Sequence, residues 1–109
     1  MATSTSSTAL PYVWWSTGTE AVVPAAQWEY VYASMQALKA HVQEYPGCQS
    51  FDVFAGIDDG GSVRLHCYTT WDTPEQAEAF VERGYTFERM LADVAGLAPE
   101  WSMMMEKVF

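Results

Sequence analysis

Basic residues are scarce in this sequence. Five lysines and arginines stand against 14 acids, and the net charge is -9 with histidine neutral. Such a surface repels phosphate, which argues against nucleic acid and against an anionic membrane surface as partners. Histidine and cysteine are rarer still, with two of each. His41, His66, Cys48 and Cys67 are unclustered and offer no set of three or four metal ligands. The cysteines form no CxxC and fall in separate predicted strands, which predicts free thiols in a cytoplasmic protein. No apolar run approaches the roughly 20 residues that span a bilayer. Residues 1–9 are rich in Ser and Thr, with no basic region and no apolar core. They do not read as a secretory signal, and they predict a disordered tail. No GxGxxG, Walker loop or GxSxG is present, so no nucleotide, flavin or hydrolase site is suggested.

What the chain does have is apolar and aromatic surface. Half of its 109 residues are hydrophobic and 15% are aromatic, enough for the core of one domain over 10–109. A domain of this size buries only about 60–70% of its unfolded surface, so pairing would help stabilise it.

Leu10, Tyr12, Val13, Trp14 and Trp15 predict a strand over 10–17, followed by a loop over 18–23. Pro24 suits the first turn of a helix. Trp28, Val31, Tyr32, Met35, Leu38 and Val42 then fall at gaps of three and four, one helical stripe over 25–44. Tyr45-Pro46-Gly47 stops it. A second strand over 48–55 and a third over 62–71 flank the turn signal Asp58-Asp59-Gly60-Gly61. In the third strand Val63, Leu65, Cys67, Thr69 and Trp71 share one face; Arg64, His66, Tyr68 and Thr70 share the other. Thr73-Pro74-Glu75-Gln76 predicts a capped helix start, with Gln76 closing a capping box and Ala77, Phe80 and Val81 buried. Gly84 interrupts this helix. A further piece over 86–94 carries Phe87, Met90, Leu91 and Val94, and Gly96 ends it. A last strand covers 100–109, with Trp101, Met103 and Met105 on one face and Met104 and Val108 on the other.

The order βαββαβ predicts an α+β, ferredoxin-like fold: an antiparallel sheet with its helices on one face. A final strand apolar on both faces predicts that the other sheet face packs on a second subunit, giving a homodimer.

Three segments carry a wider likeness. They are Tyr45-Pro46-Gly47-Cys48 between helix and strand; Tyr68-Thr69-Thr70-Trp71 running into Asp72-Thr73-Pro74-Glu75-Gln76-Ala77; and the closing Glu106-Lys107-Val108-Phe109. In order and spacing the chain resembles the antibiotic biosynthesis monooxygenase family, whose members form dimeric α+β barrels. The resemblance implies a cofactor-free oxygenase. An electron-rich phenol, anthrone or quinol loses a proton, passes an electron to dioxygen, and collapses through a peroxide to a quinone. Such chemistry asks the protein for a dry aromatic cavity, a proton acceptor and donors for the developing anion. Some polyketide oxygenases of the family carry an asparagine four residues before the tryptophan, where this chain has Cys67. The related haem-degrading enzymes use a histidine in the second helix, and residues 73–94 contain none.

Trp71 is the first catalytic candidate, as an N–H donor and a stacking ring. His66 is the second, as a proton shuttle, although strand alternation turns it from Trp71 toward the expected interface. Cys67, Tyr68, Trp28, Tyr32, Phe51, Phe87, Arg89 and Met103 are the candidate substrate contacts. Cys67 shares the Trp71 face, and Arg89 could hold a phenolate or carboxylate, although it points away from the Phe87 face. His41 and Asp52 are expected to be exposed. Two other functions remain compatible with this sequence: a non-oxidative polyketide cyclase or isomerase on the same fold, and a non-catalytic small-molecule binding protein.

Overall fold

The computed structural model describes residues 15–108. Its elements are β1 (Trp15–Val23), a 3-10 turn (Ala25–Gln27) leading into α1 (Trp28–Gln43), β2 (Cys48–Ile57), β3 (Val63–Trp71), α2 (Pro74–Arg83), α3 (Phe87–Ala95) and β4 (Trp101–Glu106). The strands form one antiparallel sheet in the order β2-β3-β1-β4. This is the ferredoxin-like α+β fold that the sequence predicts.

The core lies between one sheet face and the helices. β3 alternates strictly, with Val63, Leu65, Cys67, Thr69 and Trp71 buried and the residues between them half-buried. α1 lays Val31, Met35, Leu38 and Val42 on this face, α2 adds Ala77 and Phe80, and α3 adds Phe87, Met90 and Leu91. Each fully buried Leu or Val contributes roughly 1.5–3 kcal/mol over its exposed state. Tyr32 belongs to the predicted stripe but is 51% exposed, because it flanks the buried row rather than joining it.

Three local expectations change. The first strand runs through 18–23, where a loop is expected. Thr19, Ala21 and Val23 pair with Cys67, Leu65 and Val63, so this segment supplies a central strand. Gly18 looks like a breaker but fills a packing role. A Cβ there would sit 2.5 Å from Met105 Cε and 3.2 Å from both Trp101 and Tyr68. The capping box of α2 is only half formed. Thr73 Oγ1 accepts from the Gln76 N–H at 3.2 Å, but the Gln76 side chain instead fills the space beside Gly47, which has φ +86°. Val81 is 41% exposed rather than buried.

The predicted stop at Gly96 is met by a left-handed residue, φ 65°, closing α3. β4 ends at Glu106, short of the predicted 109. The predicted tail over 1–9, Leu10 to Trp14 of the predicted first strand, and Phe109 lie outside the described residues.

Candidate active site

A cavity of about 70 Å³ lies between the helix-bearing sheet face and the α2–α3 corner. Its aromatic wall is Phe51, Phe80 and Phe87. Its polar wall is a row of hydroxyls from three adjacent strands: Thr17 and Thr19 of β1, Thr69 of β3 and Ser102 of β4. The register explains the row. Thr17 sits opposite Thr69 and Thr19 opposite Cys67 across β1–β3, while Thr19 faces Ser102 across β1–β4. Thr17 Oγ1 and Thr69 Oγ1 share a hydrogen bond, and Thr19 Oγ1 lies 3.3 Å from Ser102 Oγ.

Trp71 stands behind this wall. It is fully buried, packs on Phe80 at 4.9 Å between ring centroids, and donates its indole N–H to Thr69 Oγ1 at 2.8 Å. Its donor is thereby occupied within the core. The hydroxyl that accepts from it is the group at the cavity.

Cys67 lines the cavity beside the threonines. Burial, and then the Asp52 carboxylate, push its thiol up to about 12, so it stays protonated near neutral pH. Cys48 is also free, and burial raises its thiol as well. Arg89 lies at the cavity with Val81, Thr86 and Glu88. Its guanidinium donates to the carbonyls of Gly84 and Glu82 (3.0 Å to the latter), tying off the end of α2.

The predicted contacts divide among three places. Cys67, Phe51, Phe87 and Arg89 meet at this cavity. Trp28 and Tyr32 line a separate groove of about 360 Å³ between α1 and β2, to which Phe51 also belongs. His66, Tyr68 and Met103 sit on the opposite sheet face. There His66 Nδ1 lies 3.1 Å from Glu20 Oε2, and the His66 ring stacks on Tyr68 at 6.5 Å. Arg64 joins Glu20 at 2.9 Å and Glu100 at 2.6 Å on the same face. His41 and Asp52 are exposed, as expected. The hydroxyl row is what sequence reasoning missed. Thr69 was legible as a neighbour of Trp71, but Thr17, at the end of the predicted first strand, joins it only through the β1–β3 register, and Thr19 only because the strand continues through the expected loop. Among the described residues, no three His, Cys, Asp or Glu side chains gather as a metal site would require. No helix there is long and apolar enough to cross a membrane.

No protein-family model matches the sequence, and no curated protein matches it. Solved structures do match over most of the chain. A protein of Nitrosomonas europaea described as a candidate antibiotic biosynthesis monooxygenase superposes with a TM-score of 0.65 at 20% identity, covering 92% of each chain. One from Bordetella bronchiseptica, described in the same way, gives 0.64 at 13% identity over 88% of this chain and 98% of that one. A further antibiotic biosynthesis monooxygenase structure gives 0.63 at 12% identity, over 87% and 97%. With four antiparallel strands in the order β2-β3-β1-β4 and its helices on one face, the chain has the fold of the antibiotic biosynthesis monooxygenase structures.

Proposed function

We propose that this protein is a cofactor-independent monooxygenase that oxidises an aromatic phenol, anthrone or quinol with dioxygen. The observation that carries this reading is the Trp71–Thr69–Thr17 chain at the wall of an aromatic cavity. A hydroxyl that accepts one hydrogen bond becomes a better donor in another. Thr69, polarised by the Trp71 N–H, donates to the substrate oxygen as it gains negative charge. Thr17 then donates to Thr69 in their shared bond, and the Thr19–Ser102 pair leaves one further hydroxyl proton to donate. Such fixed dipoles stabilise an oxyanion without reorganisation. Trp71 acts through Thr69 and is a positioning residue.

For an anthrone the balance is simple. The methylene carbon loses a proton, and the carbanion passes one electron to dioxygen. The radical pair joins as a C–O bond, and the peroxide takes up the proton. The second methylene proton is then lost, its electron pair forms the carbonyl as the O–O bond breaks, and the departing hydroxide takes up a proton to give one molecule of water. Four electrons leave the methylene group and both oxygen atoms are accounted for. His66 faces away from the cavity, so the proton transfer rests on the acidity of the substrate and on water, with Thr69 holding the anion.

The cavity is well below the roughly 300 Å³ of ordinary small-molecule sites. It takes the reacting edge of the substrate and dioxygen, and a fused ring enters only as the corner formed by Val81, Glu88 and Arg89 opens. The outer sheet face pairs with a second copy in this reading. Phe54 and Met103 are 61% and 54% exposed there, beside Tyr68, Trp101 and Met105, an apolar area that a lone subunit leaves in water.

The test is dioxygen uptake by the purified protein with anthrones and naphthoquinols and no added cofactor. One dioxygen per substrate, above autoxidation and lowered in Thr69→Val and Trp71→Phe, is expected. Substrate loss under argon without uptake would replace this reading with the cyclase or isomerase. Tight binding without turnover would leave a binding protein.

A further inference from the structure

The larger groove between α1 and β2 has a chemistry of its own. At about 360 Å³ it falls within the size range of small-molecule sites. Phe51, Val53 and Ala55 form its strand side, and α1 forms the other. Trp28, Tyr32, Met35 and Lys39 line it at steps of four, three and four, so they run along one side of the helix. Trp28 and Tyr32 stand 5.6 Å apart between centroids and are tilted by 54°, with Tyr32 half in solvent. Two tilted aromatic faces beside apolar strand residues make a slot for a flat ring.

Lys39 gives the slot a polarity. Cations are few in a chain with five lysines and arginines and a charge of -9. Arg64 is held by Glu20 and Glu100, and Arg89 by two backbone carbonyls. Lys39 makes no hydrogen bond or ion pair among the described residues. The helix offers it none, because the positions three and four away are Met35, Gln36, Val42 and Gln43, and none is acidic. Asp52 borders the groove, but it pairs with Tyr68 in the register, and strand alternation assigns its side chain to the other sheet face from Phe51 and Val53. An unpaired ammonium at an aromatic slot complements a flat ligand with a negative group.

We propose that the α1–β2 groove is a binding site for a planar aromatic anion, with its ring against Trp28 and Tyr32 and its carboxylate or phenolate on Lys39 Nζ. This site is separate from the hydroxyl-lined cavity, with Phe51 as the wall common to both, and it stands whether or not that cavity carries out oxidation.

Calorimetric titration of the full chain with 1-naphthoate, and with its neutral isostere 1-naphthamide, tests this. Naphthoate is expected to bind about tenfold more tightly than naphthamide, the size of one modest charge contact. Lys39→Met is expected to erase that difference and Lys39→Arg to keep it. Trp28→Leu should weaken both ligands. Lys39 is exposed, so its variants keep the fold intact even if Trp28→Leu does not. Added salt should weaken naphthoate alone. Absence of naphthoate binding at millimolar concentration, equal affinity for the two ligands, or naphthoate binding unchanged in Lys39→Met would each overturn the proposal. Dioxygen uptake is a separate readout, so failure here and failure of the oxygenase reading are distinguishable.

Discussion

The indole nitrogen of Trp71 donates to the hydroxyl of Thr69 at 2.8 Å, two residues back on the same strand face. The pleat of β3 makes residues i and i+2 neighbours, and both are buried. This bond satisfies the tryptophan and turns the threonine into the polarised group at the cavity.

Replacing Thr69 by Val should therefore strand a buried N–H. A loss of about 1–3 kcal/mol in urea unfolding is expected, with a smaller loss for Thr69→Ser, which keeps the oxygen. In a double-mutant cycle with Trp71→Phe, the pair should lose less than the sum of the single variants. Strict additivity would refute the coupling.

Gly18 is predicted to resist any side chain. Its added Cβ meets Met105 Cε, the end of a flexible chain, before it meets the rings of Trp101 and Tyr68. Gly18→Ala should cost about 1–3 kcal/mol through overpacking, and Met105→Ala should restore part of that in the same background. Thermal denaturation of Gly18→Ala, of Met105→Ala and of the double variant checks this. If the outer face pairs two copies, sedimentation should also show Gly18→Ala shifted toward monomer.

Cys67 should be inert in the native state. With its thiol pushed up to about 12, only on the order of one molecule in ten thousand carries the thiolate at pH 8. A thiol-reactive dye should label Cys48 first, and label Cys67 only after denaturant is added. The same shift has a consequence at high pH. The folded thiol holds its proton above the ordinary value of 9.0, so its contribution to stability is intact below about 9 and is lost as pH rises toward 12. Cys67→Ala should flatten that alkaline decline, measured as urea midpoints against pH.

Thr73 caps α2 through one bond to the Gln76 N–H. Thr73→Ala should cost about 1 kcal/mol and Thr73→Ser much less. Because the Gln76 side chain packs at Gly47 rather than returning to Thr73, Gln76→Ala should act through the Gly47 turn and not through the cap. Native-state hydrogen exchange would separate the two, with the first turn of α2 fraying only in the Thr73 variant.

Much of the fold is legible because its signals are local. The Trp28–Val42 spacing, the strict alternation of β3, the Thr73-Pro74 start and the Gly96 stop are each settled by a few neighbouring residues. β1 is the element that local signals misplace. Gly18, Thr19 and Glu20 have the composition of a loop, and their strand character comes from two partners far along the chain, β3 on one side and β4 on the other.

The candidate site follows the same division. By itself, the sequence determined that Cys67, Thr69 and Trp71 share a face and that His66 and Tyr68 do not, because strand periodicity is a property of the backbone. Only the tertiary structure decided that Thr17, Thr19 and Ser102 complete a hydroxyl row beside Thr69, and that Trp28 and Tyr32 belong to a different groove. Register between distant strands brings those groups within reach, and it is set by the packing of the whole sheet against its helices rather than by any short stretch of chain.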